Sequence, residues 1–258
     1  MTPSLIPRRS VTLPLALALW CAACAPPSHP RKVTVAAAAD LDFALPEIAA
    51  QFRRANAGVQ LDIAYGSSGN FYSQIANGAP FDVFLSADAA YPRQLAAARH
   101  APENSVFPYA VGRLAVWVPA TSALDPATAL GDPSVKHIAI ANPLHAPYGR
   151  AAEAALRSLG LYAAVAPKLV LGENVAQTLQ FVESGAADAG VVALSLALAP
   201  AARAHGRYWE IPPSAYPRLE QAGIVLGDSP AAREFRAFLL SPAARRILKQ
   251  NGFSVPGE

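Results

Sequence analysis

Four short stretches of this sequence carry small, hydroxyl and turn-forming residues where an apolar run gives way to helical spacing. They are Ala-Ala-Ala-Ala-Asp-Leu (36–41), Tyr-Gly-Ser-Ser-Gly-Asn (65–70), Asn-Pro-Leu-His-Ala-Pro-Tyr-Gly-Arg (142–150) and Gly-Glu-Asn-Val (172–175). A helix start leaves its first N–H groups without intrahelical acceptors and concentrates the positive end of the helix dipole. Small side chains in front of such a start leave room for an anion to reach those donors. Each stretch also has a plain structural reading. Asp40 and Asn174 are good helix caps, 66–69 is an ordinary Gly/Ser turn, and Pro147 suits a first helical position. The 66–69 turn is not a nucleotide loop, because G-x-x-x-x-G-K-[ST] is absent.

Other chemistries fit less well. Ser67, Ser68, His145 and Asp88 can be drawn as a nucleophile set, but there is no G-x-S-x-G elbow, and the five histidines (29, 100, 137, 145 and 205) are scattered. Asp40, Asp42 and Asp88 can be drawn as cation ligands, yet only Asp40 lies at one of the four junctions. Both cysteines, Cys21 and Cys24, fall near the start, so the rest of the chain offers neither a disulfide nor a thiolate.

The elements that must position these residues alternate. Runs 33–36, 59–65, 81–85, 113–118, 137–141, 168–171, 189–193, 208–211 and 223–226 read as strands. Helical spacing follows at 41–52, 71–76, 149–159, 174–184 and 230–250, the last broken at Ser241-Pro242. This βα alternation predicts an α/β architecture with mostly parallel sheets. With 258 residues, 53% hydrophobic and 15% charged, the chain can form two domains around ordinary cores and is not a disordered or coiled-coil sequence.

The opening segment reads as an export signal. Arg8 and Arg9 precede an apolar run, 11–23, that is short for a membrane span. Ala23-Cys24-Ala25 fits cleavage after Ala25, giving a leader over 1–25. Cys21-Ala22-Ala23-Cys24 is an imperfect lipoprotein box that would tether the chain through Cys24. Of the 21 basic residues, the leader holds two and no acid, so 19 basic face 18 acidic residues beyond it. That balance, with no dense basic stripe, speaks against nucleic acid and against a membrane surface other than through a lipid anchor.

Taken together, the stretches resemble a known family. They are Val33-Thr34-Val35-Ala36-Ala37-Ala38, Gly66-Ser67-Ser68-Gly69 with Gln74-Ile75, and Gly78-Ala79-Pro80-Phe81-Asp82-Val83-Phe84-Leu85-Ser86-Ala87-Asp88. Asn142-Pro143, Pro147-Tyr148-Gly149, Glu173-Asn174-Val175 and Ala189-Gly190-Val191-Val192-Ala193 complete the set. From about Val33 to Val255 the chain resembles the periplasmic molybdate-binding proteins of bacterial ABC importers. The resemblance implies a two-lobed, type II-like periplasmic-binding-protein fold, with lobe 1 over 32–110 plus 213–258 and lobe 2 over 111–212. It implies molybdate or tungstate as ligand in the interlobe cleft, bound by Asp40, Ser68, Tyr148 and Val175. It further implies a periplasmic monomer without enzymatic activity or cofactor, whose partners are an ABC permease and its ATPase. The same fold could instead take sulfate or another oxyanion, or a metal ion.

Two positions depart from the family pattern. The first junction often carries a hydroxyl where this chain has Asp40, and some members place a tyrosine where it has Ala193. A carboxylate facing a dianion is costly. Asp40 is therefore expected to offer its backbone N–H to the cleft and to turn its carboxylate away, onto the N–H of Asp42 or Phe43 as a helix cap.

Overall fold

The computed structural model describes residues 31–257. The leader reading and the possible tether at Cys24 lie outside them. The chain runs through β1 (Arg31–Ala38), α1 (Ala44–Ala55), β2 (Val59–Gly66), α2 (Ser68–Ala76), β3 (Val83–Ser86), α3 (Ala90–Ala97) and β4 (Val106–Gly112). It continues through β5 (Leu114–Pro119), β6 (Ile138–Ala141), α4 (Pro147–Ser158), α5 (Tyr162–Val165), β7 (Leu169–Gly172), α6 (Val175–Glu183), β8 (Ala189–Ala193), α7 (Leu194–Ala197), α8 (Pro200–His205) and β9 (Gly206–Glu210). The last elements are β10 (Leu219–Val225), α9 (Pro230–Leu239) and α10 (Pro242–Gln250).

The strands form two five-stranded sheets, ordered β2-β1-β3-β10-β4 and β7-β6-β8-β5-β9. The two share one plan. In the first, β1 is parallel to β2 and β3, and β10 is antiparallel to β3 and β4. In the second, β6 is parallel to β7 and β8, and β5 is antiparallel to β8 and β9. Four strands of each sheet therefore run one way. The reversed strand is in each case the one that has just arrived from the other sheet, so each sheet is mixed. The change of sheet falls at Arg113, so Val111 and Gly112 still pair in the first sheet, against Glu220 and Leu219.

Sequence pattern explains the local structure. Leu45, Ile48, Ala49 and Phe52 repeat at helical spacing and are all fully buried on α1. Helices α9 and α10 each begin with Pro behind a serine whose hydroxyl caps the first turn, Ser229 onto Ala232 N and Ser241 onto Ala244 N, both at 3.3 Å. That second cap is why the 230–250 run breaks in two. The sequence reading missed β4 and α3, whose apolar positions are interrupted by Pro108 and Pro92.

One aspartate just before β3 and one just before β8 pin the start of the neighbouring parallel strand, β1 and β6 respectively. Asp82 Oδ2 accepts from Thr34 N at 2.7 Å and Thr34 Oγ1 at 2.8 Å. Asp188 Oδ2 accepts from Lys136 N at 2.8 Å and His137 N at 2.9 Å. The aspartate of the Gly78–Asp88 motif is thus a structural clamp on β1.

Candidate functional site

The ends of β1 and β2 in one lobe face those of β6 and β7 in the other, and each leads into a helix or 3₁₀ turn. Between them lies a small cavity of about 10 Å³. Asp40, Ser68, Tyr148 and Val175 all line it, together with Ala38, Ala39, Ala87 and Ala146. No lysine or arginine does. The structure thus brings all four sequence-derived candidates to one place. A larger open cleft of about 410 Å³ adjoins it, sharing Ala87 and Pro147, but is lined by Arg93, Arg150 and Arg218, and one of about 970 Å³ lies elsewhere.

Hydrogen-bond accounting shows which donors each junction leaves over. At α6, Asn174 Oδ1 accepts from Ala176 N and Gln177 N, both at 3.0 Å, so the Val175 N–H is what the cap does not take. At α4, Pro147 has no N–H, and the Gly149 and Arg150 N–H groups go to Ala146 O. That leaves the Tyr148 N–H. At α2, the Gly69 N–H goes to His145 O at 2.9 Å and the Phe71 N–H to Ser67 O at 3.1 Å. Ser68 remains, and its Oγ accepts from Ala87 N at 3.0 Å, which frees the hydroxyl proton to donate into the cavity. The 3₁₀ turn Ala39–Leu41 closes through Asp42 N to Ala39 O. Ringed by such donors, the cavity suits an acceptor-rich anion.

Asp40 corrects the sequence-based expectation. Its carboxylate makes no capping bond to Asp42 or Phe43, because the regular helix starts only at Ala44 and residues 39–41 wind tighter. The side chain is fully buried instead. Oδ2 accepts from the Tyr148 hydroxyl at 2.9 Å and from Gln221 Nε2, while Oδ1 is buried without a partner. Ser195 Oγ donates to the Asp40 carbonyl at 2.7 Å. Burial pushes the Asp40 pKa up to about 6, against the pull of the bonds from Gln221 and Tyr148. The Tyr148 and Tyr109 phenols are pushed well above their usual range, first by burial and then by Asp40. Sequence reasoning missed Gln221, which sits on β10, 181 residues from Asp40, with no local signal to mark it.

The drawn nucleophile set does not assemble for catalysis. Ser67 Oγ donates to His145 O at 2.6 Å, and His145 Nδ1 lies 3.0 Å from Ser67 Oγ. The serine proton is therefore committed to a carbonyl and the imidazole is the donor, the reverse of an activated serine. Asp88 is elsewhere: it caps α3 through Ala90 N at 2.8 Å and pairs with Arg150 at 2.6 Å. Ser67, Gly69 and Asp88 belong to one lobe, His145 and Arg150 to the other, so these bonds hold the lobes together. Among the described residues no three His, Cys, Asp or Glu side chains group as a metal site.

A profile of the bacterial extracellular solute-binding protein family matches residues 33–254. A molybdate-binding protein, ModA, of Azotobacter vinelandii is 38% identical over 247 residues, covering 94% of this chain and 97% of the relative. Its counterpart from Rhodobacter capsulatus is 36% identical, covering 88% and 90%. The solved structure of an Azotobacter vinelandii periplasmic molybdate-binding protein superposes with a TM-score of 0.80 at 33% identity, covering 87% of this chain and 99% of that one.

Proposed function

The chain belongs to the bacterial extracellular solute-binding proteins, and on that premise we propose that it captures molybdate between its lobes and delivers it to an ABC importer. Its family is one of binding proteins, not enzymes. The observation that carries the reading is a cavity lined by helix-start N–H groups and the Ser68 hydroxyl, with no cationic side chain. Molybdate is fully deprotonated near neutral pH and presents only acceptors, so a ring of donors fixed by the fold suits it and needs little reordering on binding. Tungstate, of nearly the same size and charge, fits the same ring. Sulfate is a smaller tetrahedron that cannot reach donors on both lobes at once. Protonated phosphate brings an O–H for which these donors offer no acceptor. We assign the anion contacts to Ser68 Oγ and to the backbone N–H groups of Val175, Tyr148 and Asp40. The 1–25 leader fits export to the periplasm, where the monomer would meet a permease and its ATPase. Titration calorimetry is the test: molybdate and tungstate should bind and sulfate should not. Sulfate binding as tight as molybdate would move the ligand to another oxyanion.

Ser68→Ala should weaken molybdate binding by about 1.5–3 kcal/mol, the range for a hydrogen bond to a charged group. It also strips Ala87 N of its acceptor, so the variant should be somewhat less stable. Unchanged affinity, measured on folded protein, would remove Ser68 from the site.

Gly69→Ala should impair closure. A Cβ there would lie 2.5 Å from His145 O and 2.9 Å from His145 Cα, both on the opposite lobe's backbone. These two backbone clashes exist only when the lobes meet; the third close contact, Tyr91 Oη at 2.9 Å on the same lobe, is the end of a side chain that can move aside. An overpacking cost of about 1–3 kcal/mol then appears as roughly 5- to 150-fold weaker binding with the unliganded fold intact. Affinity equal to the parent would show that closure does not use this contact.

A further inference from the structure

We propose that anion capture is coupled to proton uptake: Asp40 becomes a neutral acid in the loaded state, with the proton on Oδ1. The inference rests on the molybdate reading above and deepens it. Its basis is geometric. Asp40 lines the anion cavity and is fully buried. Oδ2 is saturated by the Tyr148 hydroxyl and Gln221 Nε2, whereas Oδ1 is enclosed and has no donor. A buried ionised oxygen without a donor is the less stable form of a carboxyl group, and the protonated form removes its charge.

Besides these two donors only its own backbone N–H favours the ionised form, and no charged group does. From α4 it faces Tyr148 and from β4 Tyr109, both phenols pushed further from ionisation by Asp40 itself. From β10 it faces the amide of Gln221, and from α7 Ser195 reaches its backbone carbonyl. Tyr65 on β2 senses Asp42 and Arg53 and not Asp40. No lysine, arginine or histidine acts on it. Burial, partly offset by its hydrogen bonds, already lifts its pKa to about 6, and a dianion in the cavity pushes in the same direction. At pH 8 the empty protein therefore holds Asp40 ionised. On capture a proton passes from solvent to Oδ1, and the occupied site carries the charge of the anion alone.

Calorimetry of molybdate binding at pH 8, in buffers of differing ionisation enthalpy, counts the protons. The parent should take up close to one proton per anion, and its affinity should fall by up to about tenfold per pH unit above the free-protein pKa. Asp40→Asn, uncharged and of the same shape, should take up none and bind with a flat pH profile. Saturable binding by the parent without proton uptake would overturn the proposal, as would an Asp40→Asn variant with the parent's proton count. Absence of molybdate binding to the parent at every pH would be a different failure, removing the ligand assignment and this coupling with it.

Discussion

Val175→Pro should all but eliminate molybdate capture while leaving the fold in place. The substitution removes one donor and nearly nothing else. Val175 is the first residue of α6, the position where proline is best tolerated because its N–H has no intrahelical acceptor. Asn174 before it is already extended, at φ −150° and ψ 176°, as a residue preceding proline must be. The Asn174 cap on Ala176 and Gln177 does not involve the lost N–H. What remains is an anion oxygen enclosed without its donor, a loss of about 3 kcal/mol or more, roughly 100-fold or beyond. Val175→Ala keeps the N–H and should bind nearly as the parent does. Calorimetry on both variants decides. A proline variant that binds normally, or an alanine variant that does not, would show that the side chain and not the backbone meets the anion.

Asp40→Asn should be more stable than the parent at pH 7.5 and lose most of that advantage by pH 4. The sign follows from the direction of the shift. An acid whose folded pKa lies near 6, against 3.8 when unfolded, stabilises the fold fully below 3.8 and loses that contribution as pH rises through 6. A two-unit gap corresponds to about 3 kcal/mol, or roughly 6–12 °C in Tm for a domain pair of this size. Asparagine does not titrate and escapes the loss. Urea denaturation of both proteins at the two pH values is the check, and parallel pH profiles would show that Asp40 does not carry this burden. The same arithmetic favours protonation over repulsion when the anion arrives. A carboxylate about 5 Å from a dianion is repelled by about 7 kcal/mol at an effective dielectric of about 20. Protonating a group of pKa near 6 at pH 7.5 costs only about 2 kcal/mol.

These expectations separate what was written locally in the chain from what was not. The alternation of strands and helices was legible because it depends on side-chain period. Val33 and Val35 alternate inward on β1, and Leu45, Ile48 and Phe52 share one face of α1. The junctions were legible for a related reason. A helix start leaves unpaired N–H groups wherever it occurs, so the four junctions could be marked from turn and cap residues, while the choice of Ser68, Tyr148 and Val175 within them came from the family resemblance.

Tertiary structure decided everything that depended on residues distant in the chain. Only the fold brings β1 and β2 of one lobe to face β6 and β7 of the other, and only that meeting makes four separate helix starts into one cavity. Ser67 and His145, 78 residues apart, look like catalytic partners as a pair of residue types. In the fold the nearby carbonyl takes the serine proton. Asp40 shows the limit most clearly. Its type and place before a helix favour a cap, a bond to a near neighbour that local sequence can encode. Its actual partners, Tyr148 and Gln221, lie 108 and 181 residues away and reach it because the returning strand β10 and the opposite lobe close over it. Local sequence sets which groups are left needing partners, and long-range packing sets which partners they find and how much water is excluded around them. That exclusion is what turns an ordinary carboxyl into one that titrates near pH 6.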